Sequence, residues 1–218
     1  SIRRQRQMCI RDSGYTAASG DASVRQGLAD YMNQTYDARV RADNFYMTCG
    51  AAASLTISLK ALVEGPDDEI ILIAPFFPEY TVFVHNANAK AVVLPPDTEH
   101  FQISLDALEK AITPHTRAII INSPNNPSGV VYSADTYEKL AALLTRKSQE
   151  IGHPIYIISD EPYREIIYDG LPILYVPKFY KDTIICYSYS KSLSLPGERI
   201  GYVLVPDCAA DAQEVYTA

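Results

Sequence analysis

A lysine among hydroxyl side chains is the first residue here whose surroundings suit covalent chemistry. Lys191 follows Ser188, Tyr189 and Ser190, directly after the apolar run 184–187. A lysine flanked by small polar residues at the end of a strand is placed to form a Schiff base with an aldehyde cofactor. An ordinary surface lysine is the alternative interpretation of this segment taken by itself.

A carboxylate and a phenol follow a second apolar run. Asp160 comes directly after the run 155–159, and Tyr163 lies three residues further on. A carboxylate at a strand terminus can bind a protonated ring nitrogen, and a phenol nearby can bind the phenolic oxygen of the same planar ligand. Asp160 could also simply cap a helix. The pair therefore indicates a planar ligand only in combination with other segments.

Two further segments carry polar groups beside apolar runs. Segment 122–129 contains two prolines, three asparagines and a glycine, a composition that a rigid turn explains by itself. Arg199 lies between glycines, eight residues after Lys191, at the start of a predicted strand. Its fork of donors can bind a phosphate, although a surface ion pair with Glu198 is the simpler interpretation.

Alternating helices and strands must position these segments. Helical periodicity predicts helices over 21–34, 50–64, 78–86, 104–112 and 134–149, and apolar runs predict strands over 45–49, 69–74, 90–94, 117–122, 155–159, 183–187 and 200–205. Several strands are apolar on consecutive positions, as expected when helices cover both faces of a sheet. The fold class is therefore predicted to be α/β, a three-layer α/β/α sandwich with a mostly parallel sheet.

Such sheets bind ligands at the carboxyl ends of their strands. The segments that follow positions 49, 74, 122, 159 and 187 are therefore expected to meet at one edge of the sheet. All of the candidate segments before Arg199 belong to this set or lie next to it.

Composition excludes several other classes of protein. With 218 residues, 47% of them hydrophobic and 21% charged, the chain lies in the ordinary globular range. A net charge of −7 argues against a nucleic-acid partner, and the sequence has no apolar run long enough for a membrane span. Four cysteines without paired spacing or a signal segment predict a cytoplasmic protein, and four scattered histidines predict no metal site.

Four motifs occur together and in a fixed order. They are N-x-P-x-N-P-[ST]-G at 122–129, D-x-x-Y at 160–163, S-x-S-K at 188–191 and R-x-G at 199–201. In this combination the chain resembles the class I/II, fold-type-I aminotransferases of the aspartate aminotransferase superfamily, which depend on pyridoxal 5′-phosphate. The resemblance runs from about residue 14 to the end of the sequence.

The resemblance implies a role for each residue around the cofactor ring. Lys191 would form the Schiff base and, once released by substrate, would move the proton between the substrate's α-carbon and the cofactor. Asp160 is similar to the aspartate that pairs with the ring nitrogen, so by resemblance it would keep that nitrogen protonated. Tyr163 and Asn126 resemble the residues that contact the phenolic oxygen, and Asn126 would also lie near the substrate carboxylate.

The resemblance also implies a phosphate site. Ala51 and Ala52 would bind the phosphate through the free N–H groups at the start of their helix, where helix physics independently favours an anion. Ser188 and Arg199 match the hydroxyl and guanidinium contacts to the same phosphate.

Two aromatic residues complete the set implied by the resemblance. Tyr15 matches a tyrosine that reaches the phosphate of the neighbouring subunit, so a homodimer is implied for the full-length form. Phe77 matches the aromatic residue stacked on the cofactor ring, with a core phenylalanine as the alternative.

The two ends of the chain depart from the family pattern. Segment 1–13 carries four arginines against one aspartate without periodicity, and it is expected to be a disordered leader unrelated to the domain. Residues 14–218 would form a partial pyridoxal-phosphate-binding large domain, with the family's C-terminal small domain absent. The chain by itself is therefore expected to be an inactive fragment.

The predicted function is transfer of an amino group between an amino acid and a 2-oxo acid. The donor would be of aspartate type or broad, and 2-oxoglutarate would be the usual acceptor, by resemblance alone. A lyase or decarboxylase that uses the same cofactor on the same scaffold is one alternative. A non-catalytic remnant or interaction module is the other.

Overall fold

The computed structural model describes residues 15–218 of the chain. Its helices are α1 Ala22–Tyr36, α2 Ala51–Leu62, α3 Glu79–Asn86, α4 Leu105–Ala111, α5 Ala134–Ile151, α6 Tyr189–Ser192 and α7 Ala212–Thr217. Its strands are β1 Phe45–Thr48, β2 Glu69–Ile73, β3 Lys90–Leu94, β4 Thr116–Asn122, β5 Tyr156–Asp160, β6 Thr183–Ser188 and β7 Gly201–Leu204. The predicted helices and strands are confirmed, with ends that differ by up to two residues.

The strands form one sheet in the order β1-β7-β6-β5-β4-β2-β3. Strands β2 to β6 pair in parallel, whereas β7 is antiparallel to both of its neighbours. Helices pack on both faces, so the predicted mostly parallel α/β sandwich is confirmed. Because β7 runs the other way, its first residue, Gly201, pairs with the last residue of β6, Ser188.

Neighbouring residues of the central strands contribute to different cores. Ile119 and Ile121 of β4 pack with Leu140 and Leu144 of α5 on one face of the sheet. Ile120 lies on the other face, in a cluster that includes residues of α2 and α3. Side chains alternate between the faces of a strand, so a strand that is apolar at consecutive positions must be covered on both sides.

Local capping signals set where two of the helices begin. The Asp21 side chain accepts hydrogen bonds from the backbone N–H groups of Ser23 and Val24 at the start of α1. Ser133 accepts one from Thr136 N at the start of α5. Such caps satisfy backbone donors that have no partner inside the helix.

Over residues 15–218, no helix combines the length and the apolar character needed to cross a bilayer. The predicted leader, residues 1–13, lies outside the described residues, and its assignment stays a prediction.

Candidate functional site

A cavity of about 300 Å³ lies where β4, β5 and β6 end. Its lining comprises Ala51, Ala52, Leu55, Phe77, Glu79, Tyr80, Asn122, Asn126, Asp160, Pro162, Tyr163, Ser188, Ser190, Lys191 and Arg199. Every site residue predicted from the sequence is in this set except Tyr15. These residues come from the segments that follow β1, β2, β4, β5 and β6 and from the segment before β7. The segments meet at one edge of the sheet, as expected for an α/β fold.

Asp160 forms the buried floor of the cavity. Tyr80 Oη donates a hydrogen bond to Asp160 Oδ2 at 2.5 Å, whereas the buried Oδ1 has no partner among the described residues. Burial raises the pKa of Asp160 to about 7, and the hydrogen bond from Tyr80 opposes that shift. A buried carboxylate oxygen without a partner is costly, and a cation or a donor placed opposite Oδ1 would relieve this cost.

Asn122 connects two of the loops around the cavity. Its Nδ2 donates to the backbone oxygen of Asp160 at 2.8 Å, and its Oδ1 accepts from the backbone N–H of Asn126 at 2.7 Å. Asn125 Oδ1 accepts from the backbone N–H and the hydroxyl of Ser128 at 3.0 and 2.7 Å. Segment 122–129 is therefore a rigid turn, and Asn122 also places Asn126 beside Asp160.

Lys191 and Tyr163 face each other across the cavity. Lys191 Nζ lies 6.0 Å from the centroid of the Tyr163 ring, and no residue in 15–218 forms a hydrogen bond or ion pair with it. The lysine lies in α6, a single turn of helix. Ser188 caps the start of this helix, because its Oγ accepts a hydrogen bond from the backbone N–H of Ser190 at 3.2 Å. Burial and the nearby Asp160 raise the pKa of the Tyr163 phenol, and Asn126 opposes the shift.

The opposite end of the cavity favours an anion. Helix α2 begins at Ala51, and no side chain in the described part of the chain caps its N-terminus. The first N–H groups of a helix have no intrahelical partner and carry the positive end of its dipole. Arg199 donates to the backbone oxygens of Cys49 and Pro196 at 3.2 and 3.0 Å, which holds its guanidinium next to this helix start.

Two glycines permit this approach. Gly50 has φ +99°, and a Cβ at Gly50 would lie 2.9 Å from Arg199 Nη2. A Cβ at Gly201 would overlap the backbone oxygen of Tyr187 and lie 2.8 Å from the Cα of Gly50. Only glycine gives the start of α2 and the start of β7 room to lie against each other.

Sequence reasoning missed several residues of the cavity. Tyr80 is fully buried and contacts Phe77 edge-on, with ring centroids 5.8 Å apart. The sequence pattern places Tyr80 only within a predicted helix, and its partner Asp160 lies 80 residues away in the chain. Glu79 also lines the cavity and belongs to none of the sequence motifs, whereas Asn122 and Ser190 belong to motifs but had no role assigned. The sequence feature that could have indicated Tyr80 as a site residue is the group of aromatic residues within 76–80.

Tyr15 is the predicted site residue that the structure leaves apart. Its side chain is fully exposed, and it does not line the cavity. Its assigned role concerns a neighbouring subunit, so that role stays a prediction.

The family model described as "Aminotransferase class I and II" matches residues 3–216. The chain is 30% identical over 196 residues to the probable N-acetyl-LL-diaminopimelate aminotransferase of Bacillus subtilis, covering 89% of this chain and 48% of that protein. It is 33% identical over 194 residues to the probable aspartate aminotransferase of Methanocaldococcus jannaschii, covering 88% and 49%. The chain thus spans about half the length of the curated relatives it matches.

Solved structures agree with the sequence comparisons. An aminotransferase from Eubacterium rectale superimposes with a TM-score of 0.93 and 56% identity, over 99% of this chain and 56% of the other. The aspartate aminotransferase of Thermus thermophilus with maleate superimposes with a TM-score of 0.84 and 25% identity, over 98% and 54%. The described fold therefore has counterparts in solved aminotransferase structures.

Proposed function

The chain belongs to the class I and II aminotransferase family, which uses pyridoxal phosphate, and we propose that it forms the cofactor-binding part of an aminotransferase. The reaction would transfer an amino group between an amino acid and a 2-oxo acid. One observation carries the proposal: within residues 15–218, a lysine amine without a partner, a buried carboxylate oxygen without a partner and an uncapped helix start line the same cavity.

These groups fit the cofactor chemically. The unpaired Asp160 Oδ1 suits a protonated ring nitrogen, since a cation there would satisfy the oxygen and lower the pKa of the carboxyl group. The start of α2 at Ala51 and Ala52, with Ser188 and Arg199, suits a phosphate. Phe77 also lines the cavity and offers a ring for stacking.

Each residue then has a defined task. Bound pyridoxal phosphate supplies an aldehyde that links to amino groups and a ring that accepts electron density from the substrate's α-carbon. Lys191 would bind that aldehyde through its amine and, after release, hold and move the proton at the α-carbon. Asp160 would keep the ring nitrogen protonated. Tyr163 and Asn126 would hydrogen-bond the phenolic oxygen, with Asn126 also close to the substrate carboxylate.

The proposed substrates follow from the relatives. We propose an amino donor of aspartate type, or a broad range of donors, with 2-oxoglutarate as acceptor. Several relatives carry the name aspartate aminotransferase, and the Thermus thermophilus structure contains maleate, a dicarboxylate. These names support an acidic substrate in those proteins, and the assignment to this chain is by similarity.

We also propose a homodimer in the cytoplasm. Tyr15 would reach the phosphate of the neighbouring subunit, and its full exposure leaves it available for such a contact. Cys49, Cys186 and Cys208 are free thiols, as expected in a reducing compartment. Light scattering on the purified protein with and without cofactor tests the dimer, and Tyr15→Phe should weaken phosphate binding only in the dimeric form.

Borohydride reduction tests the central assignment. The complete gene product is incubated with pyridoxal phosphate, reduced and digested, and the labelled lysine is identified by mass spectrometry. Label on Lys191, and its loss in Lys191→Ala, is the expected result, whereas label on another lysine would contradict the assignment. Product analysis then distinguishes the reaction classes: a 2-oxo acid with aminated cofactor for transamination, pyruvate with ammonia for elimination, and an amine with carbon dioxide for decarboxylation.

A further inference from the structure

A buried arginine, Arg164, lies in the loop that follows β5, one residue after Tyr163. Arg164 Nη1 donates to Glu161 Oε2 at 2.9 Å, and Nη2 donates to the Tyr202 hydroxyl at 2.7 Å. Its Nε donates to Glu165 Oε1 at 3.3 Å. The side chains of Arg164 and Glu161 are each only 5% exposed. All three nitrogens of the guanidinium are therefore engaged inside the protein.

A tyrosine hydroxyl extends this network to α6. Tyr187 Oη donates to Glu165 Oε2 at 2.6 Å, and it lies 2.8 Å from Ser192 Oγ. A tyrosine hydroxyl has one proton, and a carboxylate only accepts, so Ser192 must donate to Tyr187. Ser192 directly follows Lys191 in α6. An unbroken series of hydrogen bonds thus connects the lysine's helix to Glu165.

Packing makes this network sensitive to the loss of any member. The Arg164 guanidinium lies 4.4 Å from the centroid of the Tyr187 ring, and that ring stacks on Tyr202 with centroids 4.9 Å apart. Burial raises the pKa of Glu161, although Arg164 opposes the shift. Buried charges are tolerated only when their partners are in place, so removing one hydrogen bond forces the others to rearrange.

We propose that Arg164, Glu165, Tyr187 and Ser192 form a brace that fixes α6, and with it Lys191, against the loop that carries Tyr163. The inference rests on the proposed function for the meaning of Lys191, but the brace itself is a property of this chain alone. Helix α6 has a single turn, too short to be stable without tertiary contacts. The four residues of the brace are positioning residues, since none of them lines the cavity.

Tyr187→Phe is the variant that tests the brace. It removes the hydroxyl that joins Glu165 to Ser192 and keeps the ring between Arg164 and Tyr202. Tyr36→Phe is the matched control: its ring also lies over Arg164, at 5.5 Å, and its buried hydroxyl has no hydrogen-bond partner within the described part of the chain. Ser192→Ala breaks the same link from the other end.

The first readout is amide hydrogen exchange of α6 in the complete gene product without cofactor. Loss of a hydrogen bond to a charged group should make exchange in α6 about tenfold faster in Tyr187→Phe. Ser192→Ala should act in the same direction, and the double variant should exceed the larger single effect by little, because both changes break one link. Tyr36→Phe should match the wild type.

The second readout is the rate at which pyridoxal phosphate becomes covalently bound, followed by absorbance. A poorly oriented lysine should react about tenfold more slowly in Tyr187→Phe, with Tyr36→Phe unchanged. Equal exchange in Tyr187→Phe and wild type, or equal acceleration in both tyrosine variants, would overturn the brace. Faster exchange with an unchanged rate of capture would overturn its role in positioning Lys191. If the wild type binds no pyridoxal phosphate at Lys191, the proposed function fails, while the exchange data still decide the brace.

Discussion

The role that we propose for Asp160 combines two requirements that oppose each other. The carboxylate must be ionised to hold a proton on a ring nitrogen, yet its burial favours the neutral acid and raises its pKa to about 7. Tyr80 donates to one oxygen and so favours the ionised form, while the other oxygen has no partner in the described part of the chain. The protein without cofactor therefore contains a strained group that binding of a cation would relieve.

This strain should appear as a pH-dependent stability. The folded protein binds a proton at Asp160 that the unfolded chain has lost, so Asp160 makes stability fall as pH rises from about 4 to about 7. A shift from 3.8 to about 7 corresponds to about 4 kcal/mol across this window. Urea unfolding of the cofactor-free protein at pH 5 and pH 8 should show Asp160→Asn gaining stability relative to wild type at the higher pH. A pH-independent difference between the two proteins would contradict this account.

The same variant should be nearly inactive. A neutral amide cannot hold the ring nitrogen protonated, so Asp160→Asn should lower the rate of the amino-donor half-reaction by about a hundredfold or more. Stopped-flow absorbance of the cofactor measures this rate. A near-normal rate with folding intact would refute the role of Asp160.

Tyr80 should tune the carboxylate that it contacts. Tyr80→Phe removes a hydrogen bond that lowers the pKa of Asp160, so ionisation of Asp160 and cofactor binding should both require a higher pH. We expect cofactor affinity to fall about tenfold at neutral pH. Tyr132→Phe is the control, since Tyr132 is similarly buried and its hydroxyl bonds to no residue of the described range. Fluorescence titration across pH separates the two variants, and identical curves would argue against the coupling.

At the scale of elements, the anion end of the cavity depends on β7 running antiparallel to β6. In a fully parallel sheet the start of β7, and Arg199 before it, would lie at the edge opposite the carboxyl ends of the other strands. Antiparallel pairing of Gly201 with both Ser188 and Thr48 brings Arg199 to the start of α2. The contact between the two elements is close enough to require glycine on both sides.

Gly50→Ala tests this contact. Gly50 has φ +99° and ψ 176°, a region that is essentially restricted to glycine, and the new Cβ would press on Arg199. The substitution should cost about 1–3 kcal/mol of unfolding free energy and weaken phosphate binding. Gly27→Ala in α1 is the control, because no atom of residues 15–218 outside the local helix lies within 4 Å of a Cβ there and alanine favours helices. Equal stability and equal phosphate affinity in the two variants would contradict the steric argument.

At the scale of the whole molecule, the cavity is assembled by loops that follow several separate strands. The chain spans about half the length of its curated relatives, so in those proteins further chain is available to complete or close a site. Catalysis of this kind depends on fixing the substrate so that the reacting bond has the correct orientation. We therefore expect that cofactor binding and turnover can be separated in experiments on this chain.

We expect the 218-residue chain alone to give no sustained turnover, even where it captures cofactor. A coupled transamination assay with aspartate, a panel of other amino acids and 2-oxoglutarate would compare it with the complete gene product. Reduction with borohydride in parallel reports whether each protein has bound the cofactor at Lys191. Comparable turnover by the two proteins would show that the 218 residues are catalytically sufficient.

The sequence by itself was sufficient for the fold class, the helices and strands, and nine of the cavity residues. Helical periodicity, consecutive apolar runs and capping residues are local signals, so strands such as 90–94 were predicted with the ends that the structure has. The ordered motifs around Asn126, Asp160 and Lys191 predicted a common cofactor site, because each motif follows a strand whose end must lie at the same edge of a parallel sheet.

Only the tertiary structure decided which side chains act on each other across the sheet. Three features join segments that are far apart in the chain or on different elements. They are the contact of Tyr80 with Asp160, the reversal of β7 and the brace from Arg164 to Ser192. Periodicity reports which face of an element is buried but not its neighbour or its direction in a sheet. The neighbour and the direction of an element depend on packing between elements. The burial of Arg164 and the close approach of Gly50 and Gly201 are likewise determined by the whole fold.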